Sequence, residues 1–379
     1  MARRFVKATI NDVAERAGVS ITTVSLYLRG RKSACSLATA ERIRESIDAL
    51  QYVPHPSAGR ARDKATRTIG LVLESHDDIA DTFDGRQSYH ERLNRELGRE
   101  ADANSYGLLR YPREIRRAGI AKFFLDGRVD GVLLDLDFDY SSLEQAAAIM
   151  PIVLVNRQLN IPKGCGAVCT NEDDTMRLAL DHLWQLGHRR IAHLASPLIL
   201  PVEGVDAGEI AVAASPSSGG HPAEESPNDC GTRRCRAYAH YMRERGVFDP
   251  ALIGTVGSWC DALRGDTVSI LRRWFQLPQK PTAVVCAGDG LAIALAQSLS
   301  VLGLLCPRDL SITGVDNRTA ASEQIPPLTT VDVPVETIGR EAMRLLMRLM
   351  TGEDVPADQL KIALPVNKLV VRASTAVHG

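Results

Sequence analysis

The chain of 379 residues has no run of about 18 uncharged apolar residues, so we expect no membrane-spanning helix. Its N-terminus is positively charged, but no apolar segment follows, which is not the pattern of a secretion signal. The phosphate-binding G-x-x-x-x-G-K-[ST] loop, the G-x-S-x-G turn and the H-E-x-x-H metal motif are also absent. These absences favour a cytoplasmic protein that is not an enzyme.

Cysteine is sparse and is not grouped as in a metal site or a disulfide framework. The only close pairs among the eight cysteines are Cys165/Cys169 and Cys230/Cys235. Neither pair has Cys-x-x-Cys spacing or histidines in the order of a zinc site. We therefore expect buried thiols, no metal site and no cofactor.

The positive charge of the chain is concentrated at its N-terminal end. Residues 1–64 contain 12 Lys+Arg and 6 Asp+Glu, a net charge of +6, whereas the whole chain has a net charge of −1. A local excess of this kind is the electrostatic pattern of a phosphate-binding surface.

The segment Thr9–Gly30 predicts two short helices around a tight turn. Thr9 and Asp12 have the spacing of a capping box, and apolar residues follow at helical spacing. Gly18 is suited to the turn because it adopts positive φ without strain, and Ser20 can cap the second helix. A helical hairpin of this kind is typical of the helix-turn-helix motif, in which the second helix faces base edges in the major groove.

The residues A-T-I-N-D-V-A-E-R-A-G-V-S-x-x-T-V-S, from Ala8 to Ser25, resemble the opening of LacI/GalR-type bacterial transcription repressors. This resemblance implies a sequence-specific DNA-binding regulator, which we expect to be a repressor. Its operator affinity is expected to be controlled by a small molecule, a sugar or a related metabolite, bound between the two core lobes. The resemblance assigns DNA contacts to Thr9, Ser20, Ile21, Thr22, Thr23, Ser25, Leu26, Arg29, Arg31, His55, Ala58, Arg60 and Ala61.

The recognition helix departs from the family at one position. Leu26 stands where the family commonly has an arginine, the side chain that reads guanine bidentately. Ile21, Thr22 and Leu26 are better suited to contacts with thymine methyl groups, whereas Thr23 and Ser25 are suited to phosphate contacts. We expect an operator that differs from the family's common half-site.

A third helix and a linker complete the N-terminal unit. Ser36 can cap the helix, and Ile43, Ile47 and Leu50 form an apolar stripe that closes a three-helix headpiece. The linker that follows resembles the family's hinge helix, which orders on operator DNA. Ala61 stands where the family usually has the leucine that wedges into the minor groove, so we expect weaker kinking of the duplex.

From Thr68 onward, segments rich in Val, Leu and Ile alternate with amphipathic helical segments, including a helix over 86–107 that Gly107 closes. This alternation is typical of parallel sheets covered by helices on both faces. We predict an N-terminal all-α helix-turn-helix headpiece and an α/β core that resembles the two-lobed periplasmic binding proteins. The boundaries are 1–52 for the headpiece, 53–66 for the hinge linker and 67–379 for the core, with lobe 1 at about 67–169 and 322–352 and lobe 2 at about 170–321 and 353–379.

Candidate effector-binding residues lie where predicted strands end, which is where open parallel sheets bind ligands. The resemblance assigns this role to Asn156, Arg157, Arg234, Asp289 and Asp316. An arginine and an aspartate that converge on one cleft suit a polyol, because each can hold two hydroxyl groups. Two positions differ from the family pattern: Ala237 replaces a glycine after Arg234, and Gly288 replaces an asparagine before Asp289.

Residues 197–232 form an insertion that contains no Lys or Arg and several acidic residues. It is either a surface loop with partial disorder or a lid over the cleft, because it leads directly into the helix of Arg234. Its negative charge argues against contact with DNA. The segment 325–349 resembles the family's return to the first lobe, and 364–375 its terminal strand.

The expected partners are pseudo-palindromic double-stranded operator DNA, a sugar-like effector and a second copy of the chain. No heptad tail follows the core, so we expect a homodimer, with one headpiece on each half-site. Three alternatives remain. One is a family regulator controlled by a protein partner, and another is a transport solute-binding protein. The third is an NAD-type enzyme, for which Gly288-Asp289-Gly290 is a weak signal.

Overall fold

The computed structural model describes residues 8–28, 35–50, 52, 65–73, 89–111, 124, 127–135, 140–156, 161–195, 211–212, 230–256 and 265–379. The helices are α1 (Ile10–Ala17), α2 (Ile21–Leu28), α3 (Leu37–Leu50), α4 (Tyr89–Ala103), α5 (Tyr140–Ala147), α6 (Glu172–Gln185), α7 (Cys230–Glu244), α8 (Asp266–Gln276), α9 (Asp289–Val301), α10 (Thr319–Glu323) and α11 (Val335–Met350). The strands are β1 (Thr68–Leu73), β2 (Gly107–Arg110), β3 (Gly131–Asp135), β4 (Ile152–Val155), β5 (Gly166–Thr170), β6 (Ile191–Ala195), β7 (Ala211–Val212), β8 (Ile253–Thr255), β9 (Ala283–Cys286), β10 (Ser311–Val315), β11 (Thr329–Val331), β12 (Lys361–Leu364) and β13 (Leu369–Val370).

The predicted caps of the N-terminal helices are confirmed. The amide of Thr9 donates to the carboxylate of Asp12 at 2.5 Å, and the amide of Asp12 donates to the Thr9 hydroxyl at 3.4 Å. Gly18 follows α1 with φ 63°, in the left-handed region where glycine is unstrained. Ser20 and Ser36 accept the amides of the residues three positions later, at 3.1 and 3.2 Å. Each short helix thus begins at a side chain that satisfies an otherwise unpaired amide.

The headpiece has a core of its own, as its apolar spacing predicts. The fully enclosed members are Val13, Ala14, Ala17, Val24 and Ile43. Ile47 and Leu50, the rest of the predicted stripe, are partly buried against them. Every one of the three helices contributes, so the described headpiece residues form a hydrophobic cluster separate from those of the α/β core.

In the described residues after the headpiece, the strands form two sheets with helices packed against them. The first has the strand order β12-β5-β4-β3-β1-β2, and all its pairs are parallel. The second has the order β13-β11-β10-β9-β6-β8-β7, in which only the β13–β11 pair is antiparallel. α4 and α11 pack together over the first sheet, whereas α6 packs against β9, β10 and β11 of the second. We call the layers around these sheets the first and second lobe.

The strand pairing divides the chain differently from the expected boundaries of the two lobes. Residues 329–331 were expected in lobe 1, but β11 pairs with β10 of the second sheet. Residues 361–364 were expected in lobe 2, but β12 pairs with β5 of the first sheet, so the predicted terminal strand is two strands in two sheets. The chain therefore returns to the first lobe after Val331. Hydrophobic periodicity does not reveal this, because a buried strand has the same pattern in either sheet.

The helix over 86–107 was expected to end at Gly107, and this is wrong. α4 ends at Ala103, and Ser105 takes the left-handed conformation with φ 59°. The amide of Tyr106 donates to Ala101 O at 2.9 Å, which closes the helix. Gly107 is the first residue of β2, and its amide donates to Arg67 O at 2.8 Å. Gly107 is paired within the sheet as part of β2, so it does not cap α4.

Among the described residues, no helix has both the length and the apolar content that crossing a membrane requires.

Candidate nucleic-acid interface and interlobe site

The second helix of the headpiece presents its N-terminal end to solvent. Ile21 is 47% exposed, although it is a large apolar residue, and Thr22 is exposed beside it. Val24 is buried in the headpiece core, so it fixes the rotation of the helix. Ser25 and Leu26 are half-buried on the flank of the exposed face. Ile21 and Thr22, two of the residues predicted to face bases, are thus exposed at the start of α2, whereas Leu26 lies further along the helix and is half-buried.

Two other predicted DNA contacts are also helix caps. The Thr9 hydroxyl donates to Asp12 at 2.7 Å, and the hydroxyls of Ser20 and Thr23 lie 2.8 Å apart. These bonds orient the hydroxyls at the helix N-termini, where backbone amides favour anions such as phosphate. The predicted contacts Arg29, Arg31, His55, Ala58, Arg60 and Ala61 lie outside the described residues, as do Arg157 and most of the insertion at 197–232.

The interlobe site is a cluster of polar residues at the carboxyl ends of strands from both sheets. Asp135 is the last residue of β3, Asn156 follows β4, and Asp316 follows β10. Arg234, one turn into α7, joins them from the second lobe. The structure therefore brings together three predicted effector residues, Asn156, Arg234 and Asp316.

A buried ion pair lies at the centre of this cluster. Nε of Arg234 donates to Oε2 of Glu172 at 2.7 Å, and the two side chains are 6% and 3% exposed. Nη1 of Arg234 donates to Ala287 O at 2.5 Å and lies 3.9 Å from Oδ1 of Asp316. Burial alone would raise the pKa of Glu172, but the nearby Arg234 and Arg233 guanidinium groups outweigh it and lower that pKa. Glu172 is therefore a carboxylate at neutral pH.

Arg233, which the sequence reasoning missed, contacts the first lobe from the second. Its Nη2 donates to Asn156 O at 2.8 Å, and its Nη1 donates to Thr170 O at 3.3 Å. Nη2 also lies 3.8 Å from Oε1 of Glu172. The same Oε1 accepts a hydrogen bond from the Thr170 hydroxyl at 2.7 Å. Two adjacent arginines of one helix thus share a single buried carboxylate.

The Asn156 side chain lies in a second hydrogen-bonded group within the first lobe. Its Oδ1 accepts the Tyr89 hydroxyl at 2.7 Å, and its Nδ2 is 3.4 Å from Oδ2 of Asp135. Nε2 of His90 lies 3.5 Å from the same Asp135 oxygen. Asp135 was detectable in the sequence as the polar end of a buried strand, but Tyr89 and His90 open a helix and carry no such signal.

Asp316 has an unusual backbone and a contact from the opposite lobe. Its φ is 108°, and Nη1 of Arg92, on α4 of the first lobe, donates to its carbonyl oxygen at 3.1 Å. Burial raises the pKa of the Asp316 carboxyl, although Arg234 and Arg318 act in the opposite direction. Arg92 also pairs with Glu336 through two bonds of 3.0 and 2.9 Å.

Asp289, another predicted effector residue, is fully buried. Its Oδ2 accepts the Arg318 amide at 2.8 Å, and its Oδ1 accepts the Thr330 hydroxyl at 2.6 Å. Burial, with a smaller effect of Asp316, raises the pKa of Asp289 to about 8. The carboxyl therefore joins the start of α9 to the loop that follows β10. No group of three or more His, Cys, Asp or Glu side chains suited to a metal ion occurs in the described part of the chain.

Two family models match the chain. Residues 9–55 match the model described as bacterial regulatory proteins, lacI family, and residues 180–375 match the periplasmic binding protein-like domain. The chain is 29% identical over 388 aligned positions to the HTH-type transcriptional repressor CytR of Escherichia coli K12, covering 97% of the chain and 96% of CytR. It is 27% identical over 355 positions to the repressor PurR of Vibrio atlanticus, covering 92% and 93%.

Solved structures are similar over nearly the whole length. The complex of the transcriptional regulator CelR with cellobiose superposes with a TM-score of 0.64 at 25% identity, covering 97% of this chain and 99% of CelR. The lac repressor dimer bound to operator and the anti-inducer ONPF superposes with a TM-score of 0.63 at 23% identity, covering 98% and 100%. The headpiece and the two-lobed core thus occur together in both structures.

Proposed function

This chain belongs to the LacI family of bacterial regulatory proteins, and from that premise we propose that it is a repressor whose operator affinity is set by a small molecule held between its lobes. The main support is the polar cluster in which Asn156 of one lobe is linked, through Arg233 and Glu172, to Arg234 and Asp316 of the other. A ligand that bridges the two lobes prefers one angle between them, and the hinge transmits that angle to the headpiece.

We propose that the headpiece reads its operator mainly through α2. Ile21, Thr22 and Leu26 offer methyl groups to thymine, and none of them can form the bidentate pair that an arginine forms with guanine. Thr9, Ser20, Thr23 and Ser25 then bind phosphates, as do Arg29, Arg31 and Arg60. The linker residues His55, Ala58 and Ala61 are further DNA contacts, with Ala61 at the position of the family's minor-groove leucine. The resulting half-site contains A·T pairs where the family's common half-site contains guanine.

The proposed effector is an uncharged polyhydroxy molecule such as a sugar. Asp316 and Asp135 are hydrogen-bond acceptors for hydroxyl groups, and Asn156 with the neighbouring Arg157 adds an amide and a cationic donor. The structural relative CelR was solved with cellobiose, which is consistent with this class. Asp289 contributes indirectly in this proposal, because its bonds to Arg318 and Thr330 support the loop of Asp316.

We further propose that the protein acts as a homodimer on a pseudo-palindromic site, as the lac repressor dimer does on its operator. One experiment tests the whole proposal. Duplexes are selected from a random library with the full-length protein, and operator affinity is measured with and without compounds that raise the melting temperature in a screen of sugars, sugar phosphates and purines. We expect a two-fold symmetric site and a change in affinity of at least about fivefold with a sugar.

Failure to enrich any sequence over bulk DNA at moderate ionic strength would overturn the proposed DNA recognition. Enrichment of a site together with a response only to purines or sugar phosphates would overturn the proposed effector class and leave the repressor function standing. A site without two-fold symmetry would overturn the proposed dimeric recognition.

A further inference from the structure

Two residues of the interlobe site share a rare backbone conformation. Asn156 has φ 61° and Asp316 has φ 108°, and both follow a central parallel strand, one in each lobe. Positive φ is uncommon for residues other than glycine and persists only when the surrounding structure supports it. The groups that support these two residues are therefore expected to control how their side chains enter the cleft.

In both cases the supporting group is an arginine from the opposite lobe. Arg233 of the second lobe donates to the carbonyl oxygen of Asn156 at 2.8 Å. Arg92 of the first lobe donates to the carbonyl oxygen of Asp316 at 3.1 Å. The two contacts are reciprocal: each lobe sends one guanidinium across the cleft to the main chain of the other lobe's effector residue.

Both arginines are anchored, so they cannot simply follow the residue that they hold. Arg233 is buried, donates to Thr170 O as well and lies beside Glu172. Arg92 is fixed by the bidentate pair with Glu336 and lies 4.0 Å from Asp332, in the segment that joins the lobes. A rotation of one lobe that moves these atoms apart by a few ångströms breaks both carbonyl contacts and leaves the two guanidinium groups without these acceptors.

Arg234 differs from these two residues, although it is adjacent to Arg233. Its carbonyl contact is to Ala287 and its nearest aspartate is Asp316, and both lie on the second lobe. The interlobe contact is thus a property of Arg233 and Arg92, not of every arginine in the cluster.

We propose that Arg233 and Arg92 are reciprocal positioning residues, which hold the main chain of Asn156 and Asp316. They thereby couple the shape of the effector site to the angle between the lobes, so that neither changes without the other. This inference rests on the proposed function, since the angle matters only if it reaches the headpiece. A ligand that fits the site with both contacts intact stabilises this lobe angle, and one that requires either residue to move favours another angle.

The test compares Arg233→Met and Arg92→Met with two matched controls by hydrogen exchange of the ligand-free protein. Arg243→Met is on the same helix as Arg233, and its guanidinium stacks on Phe248 of the same lobe. Arg99→Met is on the same helix as Arg92 and pairs with Glu96 of that helix. We expect a crossed pattern, in which each variant accelerates exchange at the strand end of the opposite lobe by at least about fivefold.

The two reporter amides are suited to this comparison because each donates within its own sheet. The Asn156 amide bonds to Val168 O at 2.8 Å and should exchange faster in Arg233→Met. The Asp316 amide bonds to Val331 O at 2.9 Å and should exchange faster in Arg92→Met. Acceleration confined to the helix of the substitution, or equal in the controls, would overturn the proposal. Arg233→Lys keeps the charge beside Glu172 but cannot reach both carbonyls, so it replaces Arg233→Met if that variant fails to fold.

The second measurement is the affinity of each variant for the duplex recovered by binding-site selection. Both variants should change the dissociation constant in the same direction, by at least about fivefold, because both contacts hold the same lobe angle. Opposite directions, or values equal to those of the controls, would overturn the proposal. Wild-type protein that prefers no duplex would instead show that the proposed function has failed, and the crossed exchange pattern would still decide the role of the two arginines.

Discussion

The Arg234 guanidinium and the Glu172 carboxylate form a salt bridge of 2.7 Å from which solvent is almost excluded. The partners are separated by 62 positions in sequence and join α7 to the start of α6. A buried pair of this kind is not strong evidence for net stabilisation, because both ions lose their hydration. Removing one partner is nevertheless costly, since the other charge is left buried.

Replacing Glu172 by glutamine should destabilise the protein by about 3–5 kcal/mol. The substitution keeps the shape of the side chain but removes the buried negative charge that Arg233 and Arg234 share. Urea unfolding followed by circular dichroism measures the loss. Glu341→Gln, which removes a pair with the exposed Arg344 on α11, is the matched control and should cost less than about 1 kcal/mol. Equal losses in both variants would contradict the assigned role of Glu172.

The buried carboxyl of Asp289 should make stability fall as the pH rises. Its pKa is raised to about 8 in the folded protein, so the folded state holds a proton that the unfolded state has already lost. The contribution of this proton to the free energy of unfolding is complete below the pKa of Asp289 in the unfolded chain, and it disappears as the pH rises through about 8. Asp289→Asn stays neutral, and its melting temperature minus that of the wild type should therefore increase between pH 5 and pH 9.

Thermal melts at intervals across that pH range test this prediction. The exposed Asp358→Asn provides the control, and its difference from the wild type should not follow this trend. A difference for Asp289→Asn that stays constant with pH would show that Asp289 is ionised in the folded protein throughout.

Ile21→Ala should weaken binding to the selected operator by about 1 kcal/mol, roughly a fivefold change, because the exposed methyl groups of α2 lose a base contact. Binding to a scrambled duplex should be unchanged, since that affinity comes from phosphate contacts. Fluorescence anisotropy at two salt concentrations separates these contributions. Val377→Ala removes another exposed apolar side chain, near the C-terminus, and should change neither affinity. Equal weakening on both duplexes by Ile21→Ala would refute base readout at this position.

Asp316→Asn should reduce the affinity for the sugar identified by thermal-shift screening at least about tenfold, because a charge-assisted acceptor for hydroxyl groups becomes an ordinary amide. Asparagine tolerates positive φ, so the backbone at this position is preserved. Isothermal titration calorimetry measures the affinity, and the melting temperature of the ligand-free variant checks its fold. Unchanged sugar affinity in a folded variant would place the effector away from Asp316.

Several features of the site were readable from the sequence because they depend on neighbours within a few positions. Asn156 and Asp316 were identified as polar residues after buried strands, and the topology brings the ends of parallel strands to one edge. Arg233 and Arg92 carried no such signal. Each is a charged residue on an amphipathic helix, which is the ordinary pattern of a solvent-facing side chain.

Asp289 shows the limit of motif matching most clearly. Its position at the start of a helix after a strand suggested a side chain in the cleft. The structure instead directs the carboxyl to Thr330, 41 positions later, and to the amide of Arg318. Which way a side chain points at a strand-helix junction depends on the segment packed behind it, and that segment is distant in sequence.

The amino-acid sequence by itself determined the headpiece, its caps, the alternation of strands and helices, and the family, because these depend on local spacing and short-range hydrogen bonds. Only the tertiary structure decided that β11 and β12 lie in opposite sheets from those expected, that Asp289 is enclosed, and that Arg233 and Arg92 cross the cleft. The reason is physical: these features arise from contacts between residues up to 244 positions apart, such as Arg92 and Glu336, and periodicity records only which face of an element is apolar.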